Sequence, residues 1–202
     1  MDALLALARH IDRLNDRFGK LAAWAVLLSC FISAANAAVR YGLDTSSNAF
    51  LEIQWYLFAA CVMLGAAQVL RLNEHVRVDL IYGRLGGRGK VWVDLFGLSV
   101  FLLPVIGYAA WLSWGFFLVK LTTGMAPGDS VASLGVTGYV AKLLSSGEMS
   151  SNAGGLIRWP AALTLPLGFA LVWLQGLAEL VKRIAWLMRR FDMEMQYERP
   201  LQ

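Results

Sequence analysis

Four stretches without a single ionisable side chain of the Asp, Glu, Lys, Arg or His type constrain this chain more than any other feature: 21–39, 53–70, 95–119 and 159–178. A bilayer core about 30 Å thick is crossed by roughly 20 apolar residues of α-helix, so each stretch is long enough to span a membrane. Composition agrees, because 58% hydrophobic and 16% charged residues lie outside the range of soluble domains. The expectation is an all-α membrane protein, a single four-helix domain over residues 1–202.

The net charge of +4 does not mark a nucleic-acid surface, since the cations flank the spans instead of forming one patch. Arg9, Arg13, Arg17 and Lys20 precede the first span. Arg71, Arg77, Arg84, Arg88 and Lys90 lie in the loop 71–94, and Lys182, Arg183, Arg189, Arg190 and Arg199 follow the fourth span. The other side holds Arg40, Lys120, Lys142 and Arg158. The positive-inside rule then predicts both termini and the 71–94 loop in the cytoplasm, and the loop 120–158 outside. Ala35-Asn36-Ala37 after an apolar run resembles a signal-peptide cleavage site, but the preceding segment is long and carries Asp2, Asp12 and Asp16, which argues for a retained helix.

Outside the spans, Leu4, Leu7, Ile11, Leu14, Phe18 and Leu21 recur at helical spacing, with Arg9, Asp12, Arg13, Asp16 and Arg17 on the remaining face. This predicts an N-terminal amphipathic helix lying on the inner membrane surface and turning into the first span; a helix packed on another subunit has the same pattern. Leu177, Leu180, Val181, Ile184, Leu187, Met188 and Phe191 predict that the fourth helix continues past the membrane. Val76, Val78, Leu80, Ile81 and Leu85 read as a short interfacial segment, and Gly86-Gly87-Arg88-Gly89 as a turn. The Gly- and Ser-rich loop 120–158 offers one candidate helix, Val136–Leu144. Pro104 and Pro166 fall inside spans and are expected to kink them or to free backbone carbonyls.

Catalytic chemistry has no residues to stand on. His10 and His75 lie outside the spans, where they cannot serve as axial haem ligands, and Cys30 and Cys61 read as packing thiols. No metal cluster, phosphate loop or nucleophile motif is present, so no enzyme activity and no cofactor are expected. Glu52 stands at the lip of the second span, and Asn36, Gln54, Gln68 and Gln175 are uncharged. These are read as groups that hold neighbouring helices or a partner, not solute.

Several segments resemble the DctQ-like small membrane subunit of tripartite ATP-independent periplasmic (TRAP) transporters. They are Glu52-Ile53-Gln54-Trp55-Tyr56-Leu57-Phe58, then Leu72-Asn73-Glu74-His75-Val76-Arg77-Val78-Asp79, then the run from Gly147-Glu148-Met149 to Arg158-Trp159-Pro160. The likeness extends from about Leu21 to Leu187, and the loop near Thr123–Leu144 is longer than in compact members. It implies a large DctM-like carrier subunit as partner, a periplasmic substrate-binding protein, sodium-coupled uptake of an organic acid, and a location in the bacterial inner membrane among its lipids. The small subunit would be a stator. Candidate partner-binding or structural residues are Glu52, Gln54, Trp55, Glu148 and Trp159 outside and Asn73, His75, Arg77 and Asp79 inside. Trp55 and Trp159 also fit the aromatic belt of a membrane protein. The rivals are a four-span subunit of another complex, or a self-sufficient homo-oligomeric channel or carrier.

Overall fold

A backbone surrounded by lipid must pair its own N–H and C=O groups, which leaves helices as the form for these apolar runs. The computed structural model describes residues 1–45, 47–74, 82 and 84–191, and every regular element among them is helical. In chain order these are α1 (Asp2–Leu43), α2 (Asn48–Leu72), α3 (Gly87–Phe96), a π-helical stretch (Gly97–Leu102), α4 (Leu103–Thr122), α5 (Val131–Ser145) and α6 (Trp159–Leu187). Four helices are long and apolar enough to cross a membrane: α1, α2, the continuous α3–α4 unit and α6.

The last helix is the hub. It packs against the α1–α2 hairpin on one side and the α3–α4 unit on the other. Of its most apolar window 39% is buried, against 6–11% in the other three. Small residues make that position possible. A Cβ on Gly168 would meet the Met63 carbonyl oxygen of α2 at 2.7 Å, and one on Gly176 would meet Leu102 Cδ2 at 2.6 Å. Ala178 and Ala185 are completely or almost completely covered. Where lipid is as apolar as a leucine side chain, such close approach is what dispersion forces reward.

Two expectations need correction. α1 runs unbroken from Asp2 to Leu43, so the amphipathic segment and the first span are one helix, with no turn between them. It turns Leu5, Ala8, Asn15, Gly19, Ala22 and Ala25 toward the bundle and leaves Leu4, Leu7, Leu14 and Leu21 of the leucine stripe exposed. Gly87 and Gly89 belong to the first turn of α3, with Gly86 as its cap, so the expected glycine turn is a helix start.

Pro104 perturbs its helix as expected. A proline has no N–H to give to the carbonyl four residues back, and the ladder just before it shifts to a wider spacing, with the Leu103 N–H donating to the Leu98 carbonyl. The Leu103 carbonyl in turn accepts from the Trp173 indole at 3.1 Å, and Gly107 leaves room for that ring. α6 passes through Pro166 and continues to Leu187, as its apolar period predicted. In the 120–158 loop, Gly135 (φ 68) interrupts α5, separating a first turn from Val131, capped by Ser130, from the stretch that runs on to Ser145. Cys30 and Cys61 are free thiols.

Candidate functional site

Two polar clusters close the bundle, one at the end carrying the α1–α2 connection and the 120–158 loop, the other at the end carrying both termini. Glu52 of the first and Arg71 of the second stand on the same helix, about 28 Å apart at 1.5 Å per residue. That separation matches a hydrocarbon core.

At the loop end, Glu52 is placed on the first turns of α2 and receives three donors from the segment before α6. These are the Ser150 hydroxyl, Asn152 Nδ2 at 2.7 Å and the Leu156 N–H at 2.7 Å. The receiving loop is shaped by a single antiparallel bridge between Met149 and Ile157. It turns at Gly154 (φ 68), and at Gly155 a Cβ would lie 2.6 Å from Ser150 Cβ and 2.9 Å from Glu52 Oε1. The Gly-Gly pair therefore serves both the turn and the close approach to the carboxylate. Tyr56 and Asn48 tie down the same loop by donating to the carbonyls of Ile157 (3.2 Å) and Ala153 (3.0 Å).

Beside it, Glu148 bridges Lys120 (2.5 Å) and Arg158 (2.9 Å), joining the end of α4 to the start of α6. The Trp159 indole donates to the Leu144 carbonyl at 2.9 Å, and its ring packs with Leu143 against Phe117, Leu121 and Ala162. The hydrogen bond from Lys120, reinforced by Arg158, holds the Glu148 carboxyl below its ordinary value of 4.5 against the opposing effect of desolvation. A carboxylate with a depressed folded-state value stabilises above the unfolded value and loses that contribution as pH falls through the folded one. Protection of residues 146–158 against hydrogen exchange, taken relative to the intrinsic rate at each pH, is accordingly expected to hold at neutral pH and to fall below about pH 4.5. Glu148→Gln is expected to raise exchange at neutral pH and to flatten that acid response.

Among the residues singled out from sequence, Glu52, Glu148 and Trp159 thus converge on one loop. Trp55 lines the open cavity beside Glu52, Ser150 and Asn152 but is itself 77% exposed. Gln54 Nε2 is covered and finds no partner among the described residues. Asn73 closes α2 in a left-handed conformation (φ 61), its N–H donating to the Leu70 carbonyl. His75, Arg77 and Asp79 lie outside the described residues.

The cluster at the terminal end is larger, and sequence reading found only one of its members. Gln175, fully buried, accepts from Asn15 Nδ2 at 2.6 Å and donates to Asp12 (2.9 Å) and Glu179 (3.0 Å). Lys182 bridges Asp12 and Glu179 at 2.8 Å each. Arg183 bridges Glu179 (2.6 Å) and Asp94 (3.0 Å), and Asp94 also accepts from the Tyr82 hydroxyl. Asp16 pairs with Arg71 at 2.6 Å. One connected chain of charges therefore ties α1, α3 and α6 together, with α1 held to α2 beside it. The available signal was the spacing of Gln175, Glu179, Lys182 and Arg183, which puts four polar groups on one face of the most apolar-packed helix.

The family model for the DctQ component of tripartite ATP-independent periplasmic transporters matches residues 29–185. No curated protein and no solved structure matches the chain. With four membrane-length helices and most of the chain covered by that match, this protein belongs to the DctQ family, the small membrane component of TRAP transporters.

Proposed function

We propose that this chain is a non-catalytic, stator-like subunit that pairs with a large DctM-like carrier in the bacterial inner membrane. A periplasmic binding protein delivers an organic acid to the pair, and a sodium gradient drives its uptake. Both termini face the cytoplasm, which puts the Asp12–Glu179–Arg183 network at the inner boundary and the Glu52 and Glu148 clamps at the outer one. Residues 1–202 act as one four-helix unit.

The observation that carries this reading is where the polar side chains are used. At both ends they fasten helix to helix, while α1, α2 and the α3–α4 unit keep most of their apolar surface exposed. A rigid body with broad apolar flanks suits a fixed part against which a carrier moves. In this account Glu52, Glu148 and Trp159 shape the outer surface, and Trp55 and Gln54 meet the carrier or lipid from α2. Asn73, His75, Arg77 and Asp79 fix the connection between α2 and α3.

Affinity purification of the chain from its native membrane in mild detergent, with mass-spectrometric identification, tests the pairing. A large multi-span carrier in about equal amount is the expected companion. A homo-oligomer without carrier, reproduced in several gentle detergents, would overturn the reading.

A further inference from the structure

At the terminal end, α1 and α6 leave a groove that neither helix fills. Leu4, Leu7 and Leu14 of α1 and Leu174, Leu177 and Val181 of α6 line a volume of about 550 Å³. Leu7 is 57% exposed, so the groove is open to its surroundings. Arg13 and Arg17 put positive charge on its rim beside His10, and among the described residues no carboxylate borders it.

The acids of the same stretch turn inward, Asp12 to Lys182 and Asp16 to Arg71. Arg13 reaches the His10 ring at 3.4 Å and the Arg9 carbonyl at 3.3 Å, and neither Arg13 nor Arg17 forms an ion pair among the described residues. The helix thus sorts its charges, spending its carboxylates on the bundle and leaving its guanidiniums outside.

Depth decides what could cover such a groove. We place the end of the hydrocarbon at the Asp16–Arg71 pair, one core thickness along α2 from Glu52. Leu4 stands twelve residues beyond Asp16, about 18 Å along the helix. The headgroup region adds only about 6 Å on each side of the core. Acyl chains therefore reach the Leu14–Leu174 end but not the Leu4–Leu7 end, and an apolar surface in water calls for protein.

We propose that this groove receives an acidic amphipathic helix of a partner protein. Apolar residues at helical spacing would enter between α1 and α6, and carboxylates one turn apart would meet Arg13 and Arg17, which are themselves one turn apart. The proposal rests on the pairing described above, since the large carrier subunit is the protein expected to supply the helix.

A photo-crosslinking amino acid placed at Leu7 or Leu14, in the complex extracted whole in mild detergent, tests it; Trp111, exposed on α4, is the control position. Adducts from positions 7 and 14 are expected to join the chain to the carrier at a segment with Asp or Glu at four-residue spacing. Adding Arg13→Glu and Arg17→Glu should cut those adducts about tenfold, while Arg13→Lys with Arg17→Lys keeps them. Adducts to phospholipid alone, to a second copy alone, or to nothing, in a sample that still contains the carrier, overturn the groove proposal and leave the pairing intact. A sample with no carrier defeats both.

Discussion

Replacing Glu179 with leucine is expected to lower the thermal midpoint of the detergent-solubilised protein by about 10 °C. Glu179 is the common acceptor for Gln175, Lys182 and Arg183, at 3.0, 2.8 and 2.6 Å. All four side chains are withdrawn from solvent, so the cations cannot recover in water what they lose. Removing one partner of a buried ion pair costs about 3–5 kcal/mol, because the charge left behind is poorly solvated. Here Asp12 still accepts from Lys182 and Asp94 from Arg183, which puts the expected loss near the lower limit, about 3 kcal/mol. For a chain of this size each kcal/mol shifts the midpoint by about 2–4 °C. Glu179→Gln keeps one accepting oxygen but turns an amide donor toward donors, so a smaller fall is expected. Fluorescence-detected unfolding of the three proteins side by side measures the series; a midpoint for Glu179→Leu within about 2 °C of the parent would remove the network from the account.

The second large effect concerns Gly168. The ideal Cβ there lies 2.7 Å from both Met63 Cβ and the Met63 carbonyl oxygen, and the opposing atoms include backbone, which has no rotamer to change. A leucine at this position must push α6 away from α2. Overpacking costs about 1–3 kcal/mol where side chains can adapt, and more where backbones must part. Gly168→Leu is therefore expected to cost at least about 3 kcal/mol and to lose most of the monodisperse protein in size-exclusion chromatography. Gly115→Leu supplies the contrast: it lies on the exposed face of α4 with nothing within 4 Å of its Cβ. Its loss of glycine should leave stability unchanged or raise it by up to about 1 kcal/mol through helix propensity. Equal behaviour of the two variants would show that the α2–α6 contact is not set by that glycine.

How far each of these features could be read from sequence follows from the kind of signal it leaves. Spans are legible because a run of twenty apolar residues is itself the physical requirement. Glu52 stood out as the sole carboxylate at the lip of the second span, and Glu148 and Trp159 through the resemblance. That all three meet on one loop depends on the turn at Gly154, which the Gly154-Gly155 pair signals, and on the Met149–Ile157 bridge, which no local pattern announces. Asp12, Asp94 and Lys182 were invisible as a group. Each sits in a flank that reads as a solvated face, and their partnership exists only because α1 and α6 extend together past the membrane boundary. The expected turn before the first span failed for a related reason. Helix propensity and polar patterning cannot tell a helix lying on a membrane from one that continues straight into it, and here the inward side of α1 is set by Ala8, Asn15, Gly19 and Ala22, residues without an apolar period.

The most direct test of the stator reading is transport in proteoliposomes built from purified components. With an inward sodium gradient and loaded binding protein outside, the account predicts uptake when this chain and the large carrier are present together. It predicts none when this chain is reconstituted alone. Substrate flux through vesicles containing this chain by itself would contradict it.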